Sequence, residues 1–376
     1  MKKIFLFPLI LLGSAAATGG VYFIYKASKN TTNTPGISIK KSEELPKTKD
    51  LKDNVVVNPS DKKSIRIGFW NVYNYSNKST RAKNTAKTYA IAKVIDFTGL
   101  DLIGLAEIKP NADGADLVKE LQNLNPNAGW KELTTNKYGK KNQEEKYTFL
   151  YKSSLLETIN FENPSNPYLI QDGTELTWAR PLAAVKFKTK TTIKNDFTLA
   201  IGHFDAPNAS KNRNEAKDSE TSQGAQEAGE ARDLVNVLGE IDKKDGENNE
   251  IIFMADTNIR GENAEKLFKS TLKSYKSLLS HNENTTLSGS RRSYANSYDK
   301  IFYKGDLATK NAQKFDIFSI FSNKIVDLAK YDQMRRKDGR SANYQANNPN
   351  DLNRIRAISD HTMVHFDLEL NESDKN

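Results

Sequence analysis

The sequence predicts an α/β sandwich, and two observations lead to this fold class. Short apolar runs with the residue types of β-strands recur along most of the chain, and stretches with helical spacing lie between them. Many strands with interspersed helices are typical of this class. The chain has 376 residues, 37% of them hydrophobic and 27% charged, which suffices for one large domain or two ordinary ones.

The N-terminus predicts a membrane anchor. Residues 4–25 contain no charged side chain, and this run is long enough to cross a bilayer as a helix. The apolar run resumes after the small residues SAAA, so we expect an uncleaved signal-anchor over 1–26 with the bulk of the protein outside the cell. Cleavage near Ala17, which would release a secreted protein, is the alternative.

The rest of the chain divides into a linker, a globular region and a tail. Residues 27–62 are polar, rich in lysine and without apolar periodicity, which predicts a flexible linker. The globular region is predicted at 63–371, and 372–376 form a short tail.

Strands and helices are predicted in order along the globular region. The strands are at 64–75, 101–108, 147–154, 180–189, 196–206, 250–258, 298–304 and 362–370, and the helices are at 81–97 and 226–241. The strands are short apolar runs, whereas the helices show helical spacing. Two polar stretches, 207–225 and 323–357, are predicted to be insertions.

The composition restricts the chemistry. The chain has no cysteine, which excludes disulfides, thiolate metal sites and cysteine nucleophiles, so any metal ion must be held by oxygen or by histidine nitrogen. The net charge of +9 suits an anionic partner such as nucleic acid or a lipid surface. Because the arginine-rich stretch 323–357 leads directly to Asp360, Arg335 and Arg336 are predicted to contact an anionic substrate.

Polar side chains stand at the ends of many predicted strands. They are Asn71, Glu107, His203, Asp205, Asp256, Asn258, Asp299, Asp360 and His361. Any one of them alone is an ordinary turn residue, but their recurrence from strand to strand suggests convergence in one cleft. Of the other two histidines, His281 is expected at the surface and His365 in a structural position within its strand.

Eight short motifs occur in this order: GFWNVYN, GLAEI, EKYTFLYK, RPLAAVKF, GHFDAP, MADTN, YDKIFY and SDHTMVHF. Together they resemble the deoxyribonuclease I-like members of the endonuclease/exonuclease/phosphatase superfamily, and among these the membrane nucleases of mycoplasmas, over residues 64–370. The resemblance implies a four-layer αββα sandwich, in which two mixed β-sheets pack face to face between helices. It also implies metal-dependent hydrolysis of phosphodiester bonds.

The resemblance implies roles for the polar residues. Glu107 matches a metal-binding glutamate, Asn71 the amide beside it, and Asp360 an aspartate near the metal. Asp256 and Asn258 match the acid and the amide of a Gly-Asp-Phe-Asn motif, with alanine and threonine replacing its glycine and its aromatic residue. The implied metal ligands are therefore Glu107, Asn71, Asp256 and Asp360.

Two histidines complete the implied site. His203 matches one catalytic histidine, oriented by Glu145, although Glu144 is only one residue away. His361 matches the second, with Asp299 as its partner. The implied catalytic residues are His203, His361, Glu145, Asp299, Asp256 and Asn258. The implied substrate contacts are Arg180, Asn71 and Asn258.

The chemistry accounts for these residue types. A hard divalent cation, Mg²⁺ or Mn²⁺ with Ca²⁺ as a further candidate, would offset the charge that develops on the phosphoryl oxygens. One histidine can take a proton from water while the other gives one to the leaving oxygen. We expect His361 to be the base and His203 the acid, and the reverse assignment stays open.

The expected function is that of a surface-exposed, membrane-anchored nuclease that degrades DNA, with RNA as a further candidate substrate, to supply nucleotides. The expected partners are nucleic acid as substrate and the membrane through the anchor, with no obligate protein partner evident. A phospholipid or inositol-phosphate phosphodiesterase of the same superfamily is one alternative, and an inactive nucleic-acid-binding surface protein is another. Three questions stay open at the level of the sequence: whether the enzyme is an endonuclease or an exonuclease, which nucleic acid it prefers, and which metal ion it uses.

Overall fold

The computed structural model describes residues 59–373 apart from 78–83, 142, 163–165, 174–175, 210–214, 341–344 and 346. The predicted anchor, most of the predicted linker and the last three residues of the predicted tail lie outside the described residues. Among the helices that are described, none has the length and apolar character needed to cross a membrane.

The last residues of the predicted linker contact the globular domain. The backbone N–H of Thr192 donates to the carbonyl of Ser60 at 2.8 Å. Lys62 forms an ion pair with the buried carboxylate of Asp101. The folded part of the chain therefore already includes Ser60.

Two mixed β-sheets form the centre of the fold. The first has the order β12 (Thr309–Lys314), β13 (Val364–Glu369), β1 (Ser64–Tyr75), β2 (Leu102–Ile108), β4 (Lys146–Lys152) and β3 (Trp130–Thr134). The second has the order β10 (Lys276–Ser277), β11 (Asp299–Lys304), β9 (Ile251–Asp256), β8 (Asp196–His203), β7 (Leu182–Thr189) and β5 (Leu156–Ile159), and β6 (Tyr168–Gln171) also pairs with β7. The central pairs β1–β2 and β8–β9 are parallel.

Helices cover the outer face of each sheet. The helices over the first sheet are α1 (Thr85–Thr98), α2 (Ala115–Leu124), α5 (Leu328–Lys337) and α6 (Leu352–Arg356). Those over the second sheet are α3 (Ala225–Asp242) and α4 (Gly261–Leu267). One apolar cluster lies under each set of helices, and a third fills the space between the two sheets. The predicted four-layer αββα sandwich is confirmed.

Strand β1 shows how the sequence produces this layering. Ile65, Ile67 and Phe69 pack between the sheets, while Trp70 and Val72 pack under the helices of the first sheet. Successive side chains of a strand point to opposite faces, so a central strand that is covered on both sides must be apolar along most of its length. The run SIRIGFWNVYNY meets this requirement.

All ten predicted elements are present in the described chain, with boundaries shifted by a few residues. The predicted loop at 207–225 carries neither helix nor strand in its described part before α3 begins. The stretch 323–357 contains α5 and α6, so it is a helical segment packed on the first sheet. The strands β3, β5, β6, β10 and β12 were not predicted.

Candidate active site

Five predicted site residues lie at one end of the space between the sheets. They are Asn71, Glu145, His203, Asp256 and Asp299. Each stands two residues from an apolar side chain of the core between the sheets, and a strand returns to the same face every second residue. Asp256 pairs in register with His203 on β8 and with Asp299 on β11, which brings these three together.

Glu107 reaches the same cleft by a different route. Its neighbours Leu105 and Ile108 pack under the helices, and the register of β2 shifts beside it. Its backbone is left-handed, with φ of 59°, a conformation that costs a residue other than glycine free energy. The backbone N–H of Asn74, itself left-handed, donates to Glu107 Oε2 at 2.8 Å and holds the carboxylate in place.

Asn71 links the two acidic sides of the cleft. Its Nδ2 donates to Glu107 Oε1 at 2.9 Å and to Asp256 Oδ2 at 2.9 Å. Its Oδ1 accepts from the backbone N–H of Tyr73 at 3.0 Å, which fixes the orientation of the amide. The amide therefore holds two carboxylates side by side without adding a charge, as the resemblance implies.

The first histidine pair is His203 with Glu145. Nδ1 of His203 lies 3.0 Å from both carboxylate oxygens of Glu145. Glu144 instead pairs with Lys137 at the surface, which resolves the choice between the two glutamates. Burial and Arg180 lower the pKa of His203, but Glu145 and Asp256 raise it by more, so the net shift is upward.

The second histidine pair is His361 with Asp299. Nδ1 of His361 lies 2.8 Å from Asp299 Oδ2, and its backbone N–H donates to Ser359 Oγ at 2.9 Å. Burial lowers the pKa of His361, but Asp299 and Asp256 outweigh it, and the pKa lies well above its ordinary value. A carboxylate on Nδ1 leaves Nε2 of each ring to face the cleft.

Both histidines face the same carboxylate. Nε2 of His203 lies 3.6 Å from Asp256 Oδ2, and Nε2 of His361 lies 3.3 Å from the same atom. Burial raises the pKa of Asp256, but the two histidines lower it by more. The two imidazoles and the carboxylate line a cleft of about 470 Å³, together with Glu107 and Asp360.

The donor set fits a hard divalent cation. Glu107, Asp256 and Asp360 offer oxygen, the atom that Mg²⁺, Mn²⁺ and Ca²⁺ prefer. Asn71, also predicted as a ligand, directs its Nδ2 toward Glu107 and Asp256 and its Oδ1 toward the N–H of Tyr73, so in this orientation it positions the carboxylates. Within the described residues Asp360 Oδ1 is buried and has no hydrogen-bond partner. Burial, opposed in part by His361, raises the pKa of Asp360, and the charge of Glu107 adds to the rise. A bound cation would relieve this concentration of negative charge.

Asp205, one of the polar residues at the predicted strand ends, belongs to a different cluster. Its carboxylate lies within 4.8 Å of those of Glu215 and Glu227. Asp205 also accepts a hydrogen bond from Gln143 at 2.9 Å. It is therefore grouped with the start of α3, and not with the carboxylates on either side of Asn71.

Arg180 and Asn258 hold the backbone after β8. Nε of the buried Arg180 donates to the carbonyl of His203 at 2.8 Å, and its Nη2 donates to the carbonyl of Phe204. The same Nε lies 3.6 Å from Glu145 Oε1. Nδ2 of Asn258 donates to the carbonyl of Phe204 at 3.3 Å. Both side chains also line the cleft, so their predicted substrate contacts stay predictions alongside this positioning role.

The arginines of 323–357 have separate places in the structure. Arg356 lines the cleft beside Asp360, and Arg335 lines a neighbouring cavity. Arg336 is exposed on α5 and is not among the described residues that line either one. Arg354 is fully buried and binds both oxygens of Asp332, at 2.9 and 3.0 Å, so it is structural.

Replacing Arg354 by methionine should destabilise the protein by about 3 kcal/mol, because it leaves the partly buried Asp332 without its cation. Denaturant unfolding checks the value. Arg336→Met, an exposed change on the same segment, is the control and should unfold like the wild type. Equal stability of the two variants would contradict the structural role of Arg354.

Glu230 on α3 is a supporting residue that the sequence did not reveal. Its carboxylate accepts from the backbone N–H of Ala179 at 2.6 Å and of Asp205 at 2.8 Å, so it ties together the chain before Arg180 and the chain after His203. Burial raises the pKa of Glu230 from 4.5 to about 7. Nothing in its local sequence separates it from an ordinary exposed helix residue.

Glu230 should make stability depend on pH. A carboxyl group with a raised folded pKa contributes stability below its unfolded value of 4.5, and that contribution is lost as pH rises to about 7. We expect wild-type unfolding free energy to fall by up to about 3 kcal/mol over this range from this group. This share of the slope should be absent from Glu230→Gln and present in the exposed Glu157→Gln. Identical slopes in all three proteins would contradict the shift.

Comparisons with known proteins place the fold. No family model matches the chain. A Mycoplasma pneumoniae protein described as uncharacterized is 37% identical over 161 residues, which are 42% of this chain and 30% of that protein. The matched segment thus spans less than a third of the relative's length.

Solved structures match most of the chain. An endonuclease/exonuclease/phosphatase from Bacteroides vulgatus aligns with a TM-score of 0.51 at 14% identity, covering 82% of this chain and all of that one. A conserved protein of unknown function from Enterococcus faecalis V583 aligns with a TM-score of 0.50 at 13% identity, with the same coverage. The resemblance found in the motifs is thereby confirmed for the architecture: this chain has the deoxyribonuclease I-like fold of the endonuclease/exonuclease/phosphatase proteins.

Proposed function

We propose that the protein is a divalent-metal-dependent phosphodiesterase that hydrolyses nucleic acid, with DNA as its preferred substrate. One observation carries the proposal: two histidines, each held by a carboxylate on Nδ1, face Asp256 from 3.6 and 3.3 Å beside the Asn71–Glu107 pair. A pair of imidazoles and a set of oxygen donors is what hydrolysis of an anionic diester requires.

The residues divide the work of hydrolysis. We assign His361 Nε2 as the acceptor of the proton from the attacking water and His203 Nε2 as the donor to the leaving oxygen. Because the pKa of His361 is raised well above its ordinary value, the reverse assignment stays open, and a substrate whose leaving group needs no proton distinguishes the two. Asp299 and Glu145 keep the proton of each ring on Nδ1 and stabilise the imidazolium that forms. A divalent cation held by the carboxylates around Asn71 would offset the charge that develops on the phosphoryl oxygens.

Nucleic acid is the substrate class that charge and shape favour. The chain carries a net charge of +9, and Arg180 and Arg356 line the cleft. A lipid phosphodiesterase would need an exposed apolar hairpin to enter a membrane. Among the described residues the exposed large hydrophobic side chains are Tyr73 and Phe97, which lie apart on β1 and α1.

The proposed location is the outer face of the cell membrane, with nucleotide supply as the role. The uncharged run at 4–25 supports an anchor, and the lysine-rich linker gives the catalytic domain reach. Secretion after cleavage is the second candidate. Fractionation of cells into membrane and medium, with the protein detected by antibody, distinguishes the two.

The first test uses residues 55–376, which contain every described element. Closed circular plasmid and RNA are incubated with Mg²⁺, with Mg²⁺ plus Ca²⁺, and with excess chelator. Metal-dependent nicking of the circle is expected and would establish an endonuclease, whereas digestion of linear DNA alone would indicate an exonuclease. If the protein binds DNA in a salt-dependent manner but does not cleave it with any of the metal ions, it is a nucleic-acid-binding protein, and the proposal is wrong.

A further inference from the structure

A second cavity of about 480 Å³ is related to the cleft through a smaller cavity that shares lining residues with both. Four of its lining residues are cationic: Lys87, Lys109, Arg335 and Arg340, which we call the basic pocket. None of its described lining residues is acidic. Asn74 and Lys109 also line the cavity that contains Glu107 and Arg180, so the basic pocket is adjacent to the residues that face the substrate.

Lys87 is the unusual member of the basic pocket. It lies on α1 and is only 4% exposed, although lysine is rarely buried without an acidic partner. Its Nζ donates to the carbonyl of Tyr73 at 2.5 Å. Burial lowers its pKa to about 7; Glu107 and Asp360 oppose this shift, while Arg340 and Arg335 add to it. The fold thus holds several cations together at a cost that an anionic ligand would offset.

Tyr73 stands beside the basic pocket and is 40% exposed. Its backbone is left-handed, with φ of 45°. Lys87 Nζ lies 5.5 Å from the centre of the ring. An exposed aromatic face next to a cationic groove is the combination that binds unpaired bases together with their phosphates.

We propose that the basic pocket binds a non-scissile phosphate of the substrate strand, next to the one being cleaved, while Tyr73 offers its ring to the adjoining base. This inference rests on the proposed function and adds to it a preference for strands with at least two phosphates and an accessible base. Neighbouring phosphates of one strand recur at short, regular intervals, so a pocket that is related to the reactive cleft in this way is placed to receive one.

The test compares TpT, which has one phosphodiester, with TpTpT, which has two. The ratio of kcat/KM for TpTpT to that for TpT should fall by about tenfold or more in Arg340→Met and in Lys109→Met, because each removes a cation that contacts the second phosphate. Lys276→Met removes an equal charge from the exposed strand β10 and should keep the wild-type ratio. Wild-type ratios in both pocket variants would overturn the proposal.

A binding measurement separates this inference from the proposed function. Anisotropy of a labelled oligothymidylate is followed against salt in the presence of chelator, so that no turnover is needed. The slope of log K against log salt should be smaller by about 0.7 in Arg340→Met than in Lys276→Met, the value for one lost phosphate contact on a single strand. If the slope is reduced but the protein cleaves no substrate, the phosphate-binding role of the basic pocket is supported and the proposed nuclease function is wrong. If Arg340→Met and Lys276→Met have equal slopes, the phosphate-binding role of the basic pocket is wrong.

Discussion

Replacing His361 by alanine lowers turnover of a natural phosphodiester by about 10²- to 10⁴-fold and leaves nucleic-acid binding close to the wild-type value. The imidazole faces the cleft through Nε2, so its removal deletes a group that moves a proton, while Arg180 and Arg356, the arginines that line the cleft, are retained. Single-turnover cleavage of an oligonucleotide and anisotropy of the same oligonucleotide measure the two quantities. Normal turnover in this variant would reject the proposed mechanism.

A matched variant and a second substrate refine the assignment. His281→Ala removes a histidine from the loop after β10, outside the cleft, and should leave turnover unchanged. With the p-nitrophenyl ester of thymidine 5′-phosphate, whose leaving group needs no proton, His203→Ala should regain most of its activity and His361→Ala should not. The opposite pattern would exchange the roles of the two histidines.

Asp299→Asn tests the second member of the pair. An amide in this position can donate to Nδ1 and so favours the tautomer that carries its proton on Nε2, which removes the acceptor from the cleft. We expect a fall in turnover comparable to that of His361→Ala, with less effect from Asp299→Glu. Because Asp299 is buried, circular dichroism and the unfolding midpoint are recorded for each variant, and only folded variants are compared.

Much of this site could be predicted from the sequence because the strands keep their period. Asn71, His203 and Asp256 follow apolar runs at the spacing that directs side chains between the sheets. The residues recur at the ends of strands that pair in the fold, and that regularity is visible in a single sequence. The periodicity of the sequence predicts only an α/β sandwich. The four-layer αββα arrangement is predicted from the order of the motifs and their resemblance to a known family.

Other parts of the site depend on contacts between residues far apart in the chain. Glu107 reaches the cleft because its own backbone is left-handed, a conformation that no strand pattern predicts. The basic pocket combines Lys87 of α1 with Arg335 of α5, and their proximity follows from the packing of two helices on one sheet. Arg354 and Arg356 are two residues apart, yet one is buried on Asp332 and the other lines the cleft. Composition could not separate them.

A bound metal ion should stabilise the folded protein. Three carboxylates, Glu107, Asp256 and Asp360, line one cleft, and a divalent cation held by these residues would bind the folded protein and not the unfolded chain. At about 100 times its dissociation constant, such an ion raises the free energy of unfolding by about 2.7 kcal/mol, which corresponds to a rise in Tm of about 5 °C. Thermal unfolding with and without Mg²⁺ or Mn²⁺ measures this shift without any substrate.

The variants decide where the ion binds. Glu107→Gln and Asp360→Asn should each remove most of the rise in Tm, because each deletes a charged oxygen ligand while keeping the size of the side chain. Glu215→Gln, which alters the separate acidic cluster near α3, should keep the full rise. If Glu215→Gln loses the rise while Glu107→Gln retains it, the stabilising ion belongs to that other cluster. The carboxylates around Asn71 would then need another source of compensation for their charge.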